Sequence, residues 1–357
     1  MLKFEKRENI PLHLRILIPL ISILSGVLIG GIAVMFSQVN PLTVYKAIFI
    51  GAFGSTYVFS ETIVVAIPLL LISVGLILVF KMNYWNIGAY GQYIMGAIFS
   101  TYFALNSAET MSRPILLMVM CIAGMVGGSL WALIPAALKA YWKVNEVIAT
   151  LLLNYIALYI LKFLMYGPWR NPRSFGFPLT KIFDLNAQLP KLISHTRIHL
   201  GLIFGIIAAI IIWIIIKKTK FGYEIRVIGE NEIAARYAGI NIAKNIILAM
   251  IISGGLAGLA GMAQISGIIH MLQIEINPDY GYTAIIVAWL SGLNSLTAMV
   301  VSFFLGGLFA GASQIQITMK VPIGIVGLIE SSILFFLLGG AILTNYKLYY
   351  YKGRKII

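Results

Sequence analysis

The sequence predicts an all-α fold, a polytopic transmembrane helical bundle of about ten spans with both termini in the cytoplasm. Composition, run length and the placement of basic residues carry that prediction. Of 357 residues, 60% are hydrophobic and 11% charged, and the mean hydropathy is +0.94, whereas soluble domains carry about 25% charged residues. A water-soluble fold could not hide so much apolar surface. Runs such as 16–37, 200–216 and 323–343 reach or approach the roughly 20 apolar residues that cross a hydrocarbon core of about 30 Å.

The expected spans are roughly 16–37, 61–80, 86–105, 114–138, 144–166, 199–216, 245–268, 281–293, 296–317 and 323–343. Residues 1–15 carry Lys3, Lys6, Arg7 and Arg15 ahead of the first apolar run. That run is too long for a signal h-region and lacks a small-x-small cleavage site, so it reads as a retained span. With the N-terminus inside, 17 of the 26 lysines and arginines fall on cytoplasmic segments, as the positive-inside rule requires. The net charge of +14 is thereby explained by the membrane, without nucleic acid.

One cysteine, Cys121, lies inside a predicted helix, which excludes a disulfide framework within the chain. His195 and His199 have i, i+4 spacing, but no third ligand accompanies them, so they read as interfacial residues and no metal site is expected. No GxxxxGK[ST] phosphate-cradling loop occurs, nor HExxH or GxSxG. The chain therefore reads as a non-enzyme that binds no cofactor itself, and ATP-driven work would need a partner carrying the ATP and Mg.

The whole chain, 1–357, reads as one transmembrane domain, with a cytoplasmic N-terminus (1–15), an external loop (167–198), a cytoplasmic segment (217–244) and a cytoplasmic C-terminus (344–357). The external loop contains Pro168, Pro172, Pro178 and Pro190 and reads either as a cap on the bundle or as a docking surface. In the segment 217–244, nine of 28 residues are charged, and each would cost roughly 2.5 to 3.5 kcal/mol at the centre of a membrane helix. It must lie outside the hydrocarbon. Asn231 is a good N-cap and Gly239 a good C-terminal stop, so they bracket a two-turn helix over 232–238. Such a helix is too short to be stable alone. Ile233, Tyr237 and Ile240 give it an apolar face to dock, and Ala234, Ala235 and Ala238 permit close approach of another backbone.

Five GxxxG pairs, Gly26/Gly30, Gly124/Gly128, Gly201/Gly205, Gly254/Gly258 and Gly307/Gly311, predict close helix packing without specifying a function. Polar residues at membrane depth are the functional candidates. Glu146, Thr150 and Asn154 follow at i, i+4 and i+8 on one stripe, which faces a water-filled path or serves as a helix end plus a structural hydrogen bond. Asn86 and Gln92 flank Gly88 and Gly91, a pattern suited to an interrupted helix lining a solute path. Gln264, behind the Gly254–Gly261 cluster, is a further pathway candidate.

Four stretches resemble one family: Asn86-Ile-Gly-Ala-Tyr-Gly-Gln92, the run from Asn145 to Ala157, the run from Gly229 to Ile240, and the run from Tyr280 to Ala288. They resemble, in order, the permeases of ATP-binding-cassette (ABC) importers for branched-chain amino acids, ribose and nucleosides, with the Asn145 stretch most similar to the nucleoside and simple-sugar branch. Tyr90 and Ser295 depart from that branch, which often has an acidic residue and a proline there. The resemblance implies a membrane-spanning subunit translocating nucleosides or simple sugars. Its expected partners are a cytoplasmic ABC ATPase, a second permease and an extracytoplasmic solute-binding lipoprotein, all at the inner or plasma membrane. It also implies that Gly229, Glu230, Asn231, Ala234, Ala235, Arg236 and Gly239 form the coupling helix that docks on the ATPase. The rivals are an ion-coupled secondary transporter, which would need intramembrane acids, an intramembrane lipid enzyme, which would need catalytic groupings, and an amino-acid permease of the same family.

Overall fold

A computed structural model describes residues 2–6, 11–36, 39–174, 176–274, 279–319 and 322–350. Its helices are α1 (Leu12–Met35), α2 (Pro41–Phe53), α3 (Thr56–Phe80), α4 (Ala89–Asn106), α5 (Arg113–Trp142), α6 (Glu146–Tyr166), α7 (Gly201–Lys218), α8 (Lys220–Glu230), α9 (Glu232–Tyr237), α10 (Ile242–Gln264), α11 (Asp279–Leu290), α12 (Ser295–Met319) and α13 (Ile323–Asn345). Each expected span coincides with a helix. Among the described residues, six are long and apolar enough to cross a bilayer: α3, α5, α6, α7, α10 with its continuation to Ile269, and 295–316 of α12.

Three differences from the sequence reading have local causes. The third expected span, 86–105, starts as a helix at Ala89 rather than residue 86, because 84–87 are non-helical. A helix not expected at all, α2, begins at Pro41, where Asn40 caps it by accepting from Leu42 N–H at 2.9 Å; an N-cap followed by Pro at N1 is a strong start signal. The chain ends are also not purely helical: β1 (Leu2–Lys6) pairs antiparallel with β2 (Tyr346–Tyr350), from Leu2 opposite Tyr350 to Lys6 opposite Tyr346.

The chain divides into two compact units, Met1–Val58 with Leu308–Ile357, and Phe59–Gly307. In the first, α1 and α13 approach closely because glycine removes the side chain at the contact. A Cβ on Gly26 would lie 2.6 Å from Ile333 Cα; α12 meets α2 in the same way, where a Cβ on Gly311 would lie 2.3 Å from the Ile48 carbonyl oxygen.

In the second unit, α4 is packed between α5, α6 and α10. The pairs Gly124/Gly128 and Gly254/Gly258 meet face to face across α5 and α10: a Cβ on Gly128 would lie 2.0 Å from Gly254 O, and one on Gly258 would lie 2.1 Å from Gly124 O. These two predicted pairs are thus one interface, held by dispersion and close backbone approach rather than by a hydrophobic force. Beyond Gln264, α10 loosens into a π-helical turn, Ile265–Ile269. The strap from 179 to 200 lies on it. Thr180 N–H donates to Leu272 O at 3.1 Å, Phe183 N–H to His270 O at 2.8 Å and Leu189 N–H to Ser266 O at 3.0 Å. The π turn's freed groups find partners in the strap, as backbone removed from water must.

Candidate functional site

Non-helical backbone at the start of α4 exposes amide groups that lipid cannot satisfy, and side chains from α4, α6 and α10 supply the partners. Asn86 and Gln92 form a reciprocal amide pair, each Nδ2 or Nε2 donating to the other's carbonyl oxygen at 3.1 Å. Asn86 Oδ1 also accepts from Gly88 N–H at 3.0 Å, and its Nδ2 donates to Ser253 Oγ of α10 at 3.4 Å. From α6, Thr150 Oγ1 accepts from Ile87 N–H at 3.2 Å, and Asn154 Oδ1 accepts from Gly91 N–H at 2.8 Å. Asn154 Nδ2 in turn donates to Ile87 O at 3.0 Å. Gly88 occupies the N-cap of α4 with no side chain to offer, so Asn154 caps that helix from its neighbour. Gly88 and Gly91 permit this approach: an added Cβ would lie 3.0 Å from Thr150 Cβ in the first case and 3.0 Å from Asn154 Oδ1 in the second.

Four of the six expected pathway residues, Asn86, Gln92, Thr150 and Asn154, therefore come together and are buried. Their amides and hydroxyl are committed to one another and to backbone, so the cluster holds an interrupted helix in place. Glu146 stands apart: it opens α6 and pairs with Lys139 at the end of α5, 2.6 Å away. The stripe seen in the sequence thus splits into an ion pair at the helix end and two backbone-binding residues deeper in. Gln264 lies three turns beyond Ser253 at the end of α10, well away from the cluster.

Polar capacity not visible in the sequence lies on the adjoining face of α4. Asn154 Nδ2 reaches Tyr282 Oη at 3.4 Å, and the rings of Tyr90 and Tyr282 are 6.0 Å apart. Tyr93, beside Tyr90 and Tyr280, is fully buried, and its hydroxyl has no hydrogen-bond partner among the described residues. Tyr280 and Tyr282 belong to a stretch already distinctive in the sequence. Ser253, a lone serine in an apolar helix, carries no spacing signal that would have found it.

The charged segment between α7 and α10 folds as two helices. Thr219 caps α8 by accepting from Gly222 N–H at 3.1 Å, and Ile225 and Ile228 are buried against the bundle. Asn231 caps α9, its Oδ1 accepting from Ile233 N–H at 2.9 Å and Ala234 N–H at 3.1 Å. Gly239, at φ +75°, ends it: Ile240 N–H bonds Ala235 O, and Gly239 N–H bonds Arg236 O, both at 3.0 Å. This pair of bonds defines a Schellman stop, which favours glycine at the left-handed position. Both expected ends are found, with Ala238 as the cap residue rather than the last helical one. Arg236 and Glu232 pair at 2.6 Å along the exposed side. Ala235 faces inward with no exposed surface, while Ile233 and Tyr237 are 67% and 90% exposed.

Positive charge concentrates at this end. Lys81, at the end of α3, is held below the usual lysine range by burial and by the nearby Lys217 and Arg226. At the other end of α7 stands His199, buried, its Nδ1 accepting from Gly201 N–H at 3.1 Å. Burial, followed by the nearby His270, lowers His199 to about 4. Residues 195–198 form a turn, a bend and irregular backbone, so His195 and His199 do not share a helix face.

Residues 58–343 match the family described as branched-chain amino acid transport system / permease component. The chain is 30% identical to a glucose ABC transporter permease protein of Haloferax volcanii over 97% of this chain and 93% of that one. It is 31% identical to a guanosine ABC transporter permease protein of Bacillus subtilis, covering 90% and 92%. A nucleoside ABC transporter permease protein of Lactococcus lactis is 32% identical, covering 90% of each. No solved structure matches. With its apolar helices and a family match over most of its length, the chain belongs to the branched-chain amino acid transport system permease family and is a multi-pass plasma-membrane transport subunit.

Proposed function

We propose that this chain is one of two membrane-spanning permeases of an ATP-driven importer for nucleosides or simple sugars, and that α9 is its coupling helix. One observation carries the coupling assignment: a six-residue helix is capped at both ends yet exposes Ile233 and Tyr237. A helix this short does not persist by propensity, and an exposed apolar pair on a pre-formed helix suits a groove in a partner. The relatives that transport glucose, guanosine and nucleosides support the substrate class.

In this reading the chain crosses the membrane ten times with both termini inside, and 217–244 is cytoplasmic. A solute-binding lipoprotein delivers substrate at the side of the strap. ATP and Mg are bound by a separate ATPase, whose preference for its closed dimer biases the switch between outward-open and inward-open states, since a ligand shifts an equilibrium only by differential affinity. The Asn86–Gln92 and Thr150–Asn154 groups hold α4 in place. The Tyr93 hydroxyl, with Tyr90, Tyr280 and Tyr282, offers aromatic faces and polar edges suited to a sugar or base.

The test combines purification and uptake. Extraction in mild detergent should copurify an ATPase and a solute-binding lipoprotein. Arg236→Glu should abolish ATP-dependent nucleoside or sugar uptake while leaving membrane insertion intact. Unchanged uptake in that variant refutes the coupling assignment. Uptake that survives ATP depletion but collapses with the proton gradient refutes the ATP-driven reading, and competition by leucine alone refutes the substrate class.

A further inference from the structure

We propose that the carboxamide of Asn83 links the α8–α9 segment to the start of α4, making Asn83 a positioning residue that carries motion from the coupling helix into the bundle. This rests on the coupling-helix reading above.

Two helix ends meet here. At the end of α3, Tyr84 N–H bonds Val79 O at 3.3 Å and Asn83 N–H bonds Phe80 O at 3.0 Å, with Asn83 in the left-handed region at φ +55°. That is a Schellman stop with asparagine at the position glycine usually fills, a conformation asparagine tolerates best among residues with a side chain. At the end of α8, Gly229 lies directly on this turn. A Cβ there would stand 2.0 Å from Lys81 O and 3.3 Å from Met82 Cα, so the contact admits only glycine. Asn83 Nδ2 then donates to Gly229 O at 2.5 Å, joining positions 146 residues apart in sequence.

Placement gives the contact its consequence. Gly229 precedes by two residues the Asn231 cap that starts α9, and Asn83 precedes by three the Asn86 that pairs with Gln92 on α4. Along the rest of α8, Ile225 and Ile228 are buried, Gly222 lies against Ile215 and Ile216 of α7, and Glu224 accepts from Asn245 Nδ2 of α10 at 2.9 Å, while Gly229 lies directly on the end of α3. Displacement of α9 by its partner therefore reaches the 81–88 turn through Gly229 and Asn83, and that turn holds the first residues of α4.

The experiment uses the complete importer in lipid vesicles, with its ATPase, second permease and solute-binding protein. Asn83→Gly deletes the amide while keeping a backbone free to hold φ +55°. Docking is followed separately, by a maleimide–lysine cross-linker from a Tyr237→Cys cysteine, in a Cys121→Ser background, to the ATPase. With Asn83→Gly the cross-link should persist and ATP hydrolysis continue, while solute moved per ATP falls about tenfold, a change of the size that coupling between two sites carries. Gly229→Ala, which forces the two turns apart, should give the same uncoupling. Wild-type solute per ATP in both variants overturns the proposal, as does loss of the cross-link in step with uptake, because Asn83 would then merely hold α9 in shape. Absence of the cross-link with Asn83 intact overturns the coupling-helix reading, and this proposal with it.

Discussion

Replacing Asn154 by alanine removes the side chain that caps α4 from α6. Two buried main-chain groups lose a partner: Gly91 N–H, 2.8 Å from Oδ1, and Ile87 C=O, 3.0 Å from Nδ2. A buried group left unsatisfied costs about 1 to 3 kcal/mol, and interhelical polar contacts in membrane bundles average about 0.6 kcal/mol because the freed groups find substitutes. Between these bounds the loss should be about 2 to 3 kcal/mol, which in a domain of this size lowers the melting temperature by about 3 to 6 °C. The assay is thermal unfolding of the purified protein in mild detergent, followed by tryptophan fluorescence. A melting temperature for Asn154→Ala within about 1 °C of the wild type would refute the capping role.

Gly128→Ala places a methyl group 2.0 Å from Gly254 O, so α5 and α10 must separate, at about 1 to 3 kcal/mol for overpacking. Gly327→Ala, where the added Cβ meets nothing within 4 Å, should be neutral, and equal melting temperatures for the two would contradict the packing. Stability should also fall in mild acid. His199 is lowered to about 4 against about 6.5 unfolded, so the unfolded chain binds more protons between those values. The neutral form's stability is complete above about pH 6.5, and about 2 kcal/mol of it is lost by pH 5. His270, also lowered, acts in the same direction. His199→Asn should remove His199's share, read as a smaller difference in melting temperature between pH 8 and pH 5, and an unchanged difference would contradict it.

Local chemistry made much of the chain legible without coordinates. Long apolar runs become helices wherever they occur, because backbone groups in lipid must pair internally. Asn231 and Gly239 delimit α9 because capping involves only neighbours in the sequence. The same logic was available for α2 in Asn40 and Pro41, but the absence of a full-length apolar run hid it. Spacing alone could also group Glu146 with Thr150 and Asn154, since all three share a helix stripe.

What each polar group faces was decided in three dimensions. Glu146 is drawn to Lys139 of α5, while Thr150 and Asn154 turn to the backbone of residues 87–91, so one stripe serves two purposes. Gly128 and Gly254 became a single interface, and Asn83 found Gly229 across 146 residues. Sequence by itself determined which long apolar segments are helical and where the short charged helix begins and ends, because those outcomes depend on composition and near neighbours. Tertiary structure alone decided which helices touch and which amides are already spent, because a hydrogen bond or a close backbone contact needs two partners and no local pattern names the second.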